Sequence, residues 1–178
     1  MWLLARIIVV ISILYTPASA QVRIHCDGQT ENLNTYLKIH KILFTDRNTD
    51  RVEEFYADRV LSHNNDSGGP GSYVVPEDMR KMWDQSRENN PNRVLDDELI
   101  LCVDDFVVVR TTIKSAFNTP MAGFEPTGQP YEATATDIYR FQDGKVVERW
   151  GNADLAHIFR QLGFKMIRET QPEPVKAP

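Results

Sequence analysis

Four side chains of this sequence have the types and settings for proton chemistry: His63, Asp137, Glu148 and Asp154. Asp137 lies in the run Thr134 to Phe141, where strand alternation puts it on one face with Ala135, Tyr139 and Phe141. Apolar burial raises a carboxyl pKa from ~3.9 toward the range in which it serves as a general base. The competing reading ties Asp137 to an arginine on an adjacent strand segment, for which Arg110, Arg140 and Arg149 are available. His63 ends a short strand in Leu-Ser-His-Asn-Asn, and its near-neutral titration suits a proton carrier. A lone histidine is more commonly a hydrogen-bonded or solvent-facing one. Asp154 precedes a short terminal helix, where an aspartate also caps backbone N–H groups and suits the dipole. Glu148 shares a face with Trp150, and an ion pair with Arg110 or Arg140 accounts for it without chemistry.

The elements that must position these groups can be read from periodicity and turn signals. Asp143-Gly144 separates two apolar-aromatic runs and predicts a hairpin joining strands at Tyr131–Phe141 and Lys145–Trp150. Arg93–Val103 and Phe106–Phe117 read as two further strands, with Asp104-Asp105 as the turn between them. Helices are predicted over Glu31–Phe44, over Asp50–Tyr56, from Pro76 to Asn89, and over Asp154–Leu162. In the third of these, Met79, Met82, Trp83 and Ser86 form a bulky stripe, read as core that also walls a pocket. Arg59–His63 is a brief strand entering the turn-rich loop Asn64–Ser72. The loop 118–130, with three prolines and two glycines, is long enough for a flap over a pocket mouth, or is loop padding. Helices followed by a run of antiparallel strands make an α+β fold: a curved antiparallel sheet wrapped with N-terminal helices into a cone with an apolar pocket.

Met1 to Ala20 reads as a signal peptide, with Arg6, the apolar run Ile7–Leu14 and a small-residue site ending at Ala20. Residues 21–46 then form an N-terminal arm and first helix, 47–165 the cone domain, and 166–178 a polar, proline-containing disordered tail. Cleavage after Ala20 makes the protein secreted or periplasmic. In that oxidising setting Cys26 and Cys102 can form a disulfide; the alternative is a buried free Cys102 and an exposed Cys26. The formal net charge of −5, without a basic stripe, argues against nucleic acid as a partner. His25, His40, His63 and His157 have no metal-ligand spacing, and no phosphate loop is present, so no metal and no cofactor are expected. Asn65-Asp66-Ser67 fits the N-glycosylation pattern.

The run TDIYRFQDGKVVERW…D…QLG, with FEPTGQPY before it, resembles the SnoaL-like polyketide cyclase family. That family belongs to the nuclear-transport-factor-two-like superfamily, with the ketosteroid isomerases and limonene epoxide hydrolases. The resemblance reaches upstream to FYADRVLSHNN and the helix around Trp83, spanning about Arg47 to Gly163. It implies the cone fold, a histidine at the place of His63, and acids at the places of Glu148 and Asp154. It also implies pairing of two copies through the convex sheet face. The family often has an acid immediately after the Trp, where this chain has Gly151, which puts the cyclase reaction itself in question.

The reading is therefore an acid–base enzyme acting on a small apolar carbonyl compound. Asp137, His63 and Asp154 are its candidate catalytic residues, and Met79, Trp83, Arg110, Tyr139 and Trp150 its pocket wall. A non-catalytic small-ligand-binding domain of the cell envelope is the alternative.

Overall fold

The computed structural model describes residues 21–27, 30–64, 71–121 and 123–165. The expected signal peptide, the glycosylation pattern and the expected C-terminal tail lie outside the described residues.

Among the described residues a seven-stranded sheet runs in the order β1-β4-β5-β6-β7-β2-β3. Its strands are β1 Arg23–Cys26, β2 Tyr56–Ser62, β3 Ser72–Val74, β4 Val94–Val103, β5 Phe106–Ala116, β6 Pro130–Gln142 and β7 Lys145–Ala153. The central strands β4 to β7 pair antiparallel; tight turns join β4 to β5 and β6 to β7, where Asp104 and Asp143 take the positive φ required, and residues 117–129 connect β5 to β6. The sheet is not wholly antiparallel: β1 lies parallel to β4 and β2 parallel to β7. Both parallel strands come from the N-terminal part of the chain and reach the sheet through long connections, which free them from hairpin geometry. The arm expected to be irregular thus becomes edge strand β1, fastened by the Cys26–Cys102 disulfide at the register position where the two residues face each other.

The helices are α1 Thr30–Ile39, α2 Val52–Phe55, α3 Pro76–Asn89 and α4 Leu155–Gln161. The predicted first helix divides: α1 ends at Ile39, and His40–Thr45 continues as a wider π-helical segment. A 3₁₀ turn, Thr49–Arg51, leads into the single turn of α2. Tyr56, expected to close that helix, is already extended and begins β2.

One sheet face carries the core. Val107 and Val109 of β5 alternate inward with Tyr139 and Phe141 of β6, and meet Tyr36, Ile39 and Leu43 from the first helical segments. Trp83 of α3 packs edge-on against Phe44 and Tyr56, at ring-centroid distances of 5.5 and 5.7 Å. A second cluster, with Phe117, Ala133, Ile158 and Leu162 at its centre, docks α4 at the far end of the sheet. Phe124 of the loop 118–130 belongs to it, stacked on Phe164 at 4.2 Å and 5.4 Å from Phe159. That loop is clamped on α4, and none of its described residues lines the cavity.

Candidate functional site

A cavity of about 580 Å³ lies between the inner face of the sheet, α3 and the π-helical segment. Its apolar wall is Leu43, Phe44, Met82, Trp83, Leu95 and Ile113. From α3, the residues at 82, 83, 86 and 87 line it, with Asn90 just past its end, as a helix facing one space with one stripe must. From the sheet come Ala135, Asp137 and Tyr139 of β6 and Arg149, Gly151 and Ala153 of β7. These are paired positions: Ala135 opposes Ala153, Asp137 opposes Gly151, and Tyr139 opposes Arg149.

Asp137 therefore points inward, and Arg149 Nη2 lies 3.6 Å from its Oδ1. Gly151 sets the local geometry. A Cβ built on it would lie 2.6 Å from Asp137 Oδ1 and 2.7 Å from Asn64 Nδ2, distances that real side chains do not show. The carboxylate and the carboxamide thus lie over the same bare backbone. Asn64 is 6 % exposed, and its Oδ1 is buried with no hydrogen-bond partner among the described residues. Such a group costs free energy unless a ligand or water pairs it. Nearby, burial raises the Tyr139 phenol well above its ordinary 10, and the Asp137 charge adds to it; the Tyr56 phenol is pushed up to about 12, chiefly by burial.

The other predicted site residues are elsewhere. His63 is on the outer face: β2 places Val60, Ser62 and, past its end, Asn64 inward, which turns His63 the other way. Its ring stacks on Trp150 at 4.7 Å with planes 3° apart, and its Nε2 lies 2.8 Å from Glu148 Oε1. Arg140 Nε donates to Glu148 Oε2 at 2.7 Å. Burial works to raise the Glu148 pKa, but the hydrogen bonds from His63 and Arg140 outweigh it and hold the carboxyl below its ordinary 4.5. Trp150 shares this outer cluster and does not line the cavity. Arg110 is also on the outer face, paired with Glu98 at 3.2 Å. Asp154 caps α4, its Oδ1 accepting the His157 N–H at 2.9 Å. Met79 is 2 % exposed within the core, and Met82 is the methionine at the cavity wall. Of the pocket-wall expectations, Trp83 and Tyr139 line the cavity.

Residues that sequence reasoning passed over are Asn64, Arg47, Arg87 and Arg93, all lining the cavity. Continuing the β2 alternation two residues past the strand end would have found Asn64. Nothing in local spacing marks the arginines, which come from the turn at Arg47, from α3 and from the entry to β4. Among the described residues, no group of three or more His, Cys, Asp or Glu side chains is placed to hold a metal.

The family model for SnoaL-like polyketide cyclases matches residues 35–162. Among solved structures, IdmH from Streptomyces antibioticus is similar over 75 % of this chain and 99 % of its own, at 23 % identity and a TM-score of 0.63. A SnoaL-like polyketide cyclase from Agrobacterium tumefaciens matches over 74 % and 98 %, at 19 % identity and 0.63. TsrD from Streptomyces laurentii matches over 75 % and 93 %, at 19 % identity and 0.60. At these identities the structural likeness speaks for the fold. No curated protein sequence matches the chain.

Proposed function

We propose, for a chain that belongs to the SnoaL-like polyketide cyclase family, that the cavity binds a small carbonyl compound and that Asp137 removes a proton α to its carbonyl. The C–H proton passes to the Asp137 carboxylate while the electron pair moves into the carbonyl to form an enolate. The Asn64 carboxamide donates to the developing oxyanion, a contact that strengthens as charge develops. The enolate then takes a proton back or attacks a second carbonyl carbon, so isomerisation and ring closure share this first step. The apolar wall around Trp83 keeps water from the reacting groups.

The observation that carries this reading is the convergence over Gly151, with Asp137 Oδ1 and Asn64 Nδ2 both within 2.7 Å of one point. It also answers the missing acid after Trp150. The carboxylate is supplied across the strand pair, from β6, and the glycine makes room for it. His63 and Asp154 leave the scheme as proton donors because neither lines the cavity.

A second reading, ligand binding without turnover, is favoured by Arg149 at 3.6 Å, since an ion-paired carboxylate is a weaker base. Hydrogen–deuterium exchange at the α carbon of 1-indanone, followed by proton NMR, separates the two. The acid–base reading expects catalysed exchange that falls about 100-fold or more in Asp137→Asn. Saturable binding of indanone with exchange at the buffer rate overturns it in favour of simple binding.

Both readings place the protein outside the reducing cytosol, which the Cys26–Cys102 disulfide supports. Pairing of two copies through the outer sheet face is part of the same proposal. Phe106, Val108, Ile138 and Trp150, apolar and only half-buried on that face, support it.

A further inference from the structure

The charge of the cavity runs against the charge of the chain. The whole sequence is net −5, yet among the described residues the charged groups lining the cavity are Arg47, Arg87, Arg93 and Arg149 against the carboxylate of Asp137. Arg149 is beside Asp137, which leaves three guanidinium groups gathered where α3 meets β4. They hold one another's backbone. Arg47 Nη1 donates to the Asn90 carbonyl at 3.2 Å and its Nη2 to the Arg93 carbonyl, while Arg87 Nη1 donates to the Arg47 carbonyl at 3.0 Å. Arg47 itself sits at φ 56°, a left-handed backbone that a side chain of its size seldom adopts. The carboxylate at this corner, Asp84, is engaged by Arg87 at 3.2 Å and by the Thr49 hydroxyl at 2.6 Å.

Arg93 is the group left over. Its Nη1 donates to Ser86 Oγ at 3.1 Å, its Nε is buried with no acceptor among the described residues, and no carboxylate pairs with it there. Burial pulls its pKa below the ordinary value, Tyr131 and Asp137 work against that shift, and Arg47 adds to it. Arg93 is half-buried; a partly desolvated cation without an anion is costly, and binding an anion relieves it.

We infer that Arg93, backed by Arg47, is a subsite for a carboxylate, so that the cavity takes a keto acid whose carboxylate lies at the arginine corner and whose ketone lies at Asp137 and Asn64. A planar guanidinium fork matches a carboxylate in two hydrogen bonds, and the aromatic and aliphatic wall between the two ends suits a short apolar body. This rests on the cavity being a small-molecule site, and it replaces a neutral, wholly apolar ligand with an anionic one.

The test is calorimetric titration at low salt with 4-oxo-4-phenylbutanoate, its methyl ester and phenyl phosphate, using wild type, Arg93→Met and Arg93→Lys. The acid is expected to bind about 10-fold tighter than the ester to wild type, with the preference shrinking as salt is added. Arg93→Met loses that preference while keeping ester binding, and Arg93→Lys keeps part of it. Ester binding equal to or tighter than acid binding in wild type overturns the carboxylate subsite and leaves the cavity reading standing. Failure of both compounds overturns the small-molecule site and the subsite together. Tighter binding of phenyl phosphate than of the acid overturns the carboxylate assignment in favour of a phosphate. The acid–ester comparison needs only wild type, so it decides even if a variant fails to fold.

Discussion

Asp137 of β6 stands directly opposite Gly151 of β7, and the bare glycine is what allows its carboxylate to lie over the strand beside the Asn64 carboxamide. The backbone at Gly151 is not in the left-handed region, so its small size answers a demand for space and not for conformation. Gly151→Ala should therefore fold and yet displace both groups, since its methyl would lie 2.6 and 2.7 Å from them. Circular dichroism should be unchanged, while indanone exchange falls by about 10-fold or more, on the scale at which small misplacements slow reactions.

The outer cluster should behave as a stability element. The folded Glu148 carboxyl titrates below 4.5, so its contribution is fully present above that value and is lost as pH falls through the lower folded one. Glu148→Gln should cost about 1.5–3 kcal/mol in urea unfolding at pH 7, the range for hydrogen bonds to a charged group. The gap between variant and wild type should close as the pH falls below 4.5. Indanone exchange at pH 7 should be unaffected, because Glu148 is on the face away from the cavity.

The Cys26–Cys102 bond closes a sequence separation of 76 residues and pins edge strand β1 onto β4. Reduction, or Cys26→Ser with Cys102→Ser, should lower stability by roughly 2–4 kcal/mol. Hydrogen exchange should rise first over Arg23–Cys26, with ligand binding retained, since neither cysteine lines the cavity.

The buried phenols should stay neutral at high pH. Tyr56 is pushed up to about 12 and Tyr139 is raised above 10, by burial first in both cases. Tyr36 is raised too, chiefly by burial, and donates its O–H to Asp97 Oδ2 at 2.8 Å. Neutral-form stabilisation of this kind is present below pH 10 and lost as pH rises through the folded values. Tyr56→Phe should leave the absorbance change at 295 nm between pH 8 and about 11 unaltered.

Much of the fold was readable because it rests on local signals. The Asp-Gly turn, Pro76 at the helix start and the alternation of β5 and β6 each follow from neighbouring residues in sequence. That same alternation puts Asp137 on one face with Ala135, Tyr139 and Phe141, and only the pairing across the sheet makes that face the inner one. The parallel edge pairs were missed because register with a distant strand has no local mark. His63 and Asn64 show the cost of a one-residue choice: in a strand, neighbours face opposite sides, and the histidine drew attention to the wrong one. The arginine corner was unreadable for another reason. It is assembled from Arg47, Arg87 and Arg93 by backbone carbonyl contacts between segments up to 46 residues apart.

Whether Asp137 is the base is decided by the indanone exchange rate in wild type, Asp137→Asn and His63→Ala, side by side at pH 7. Catalysed exchange is expected in wild type and in His63→Ala, with Asp137→Asn at the buffer rate. Loss of exchange in His63→Ala with retention in Asp137→Asn would contradict Asp137 as the base, and would move the chemistry to the outer face of the sheet.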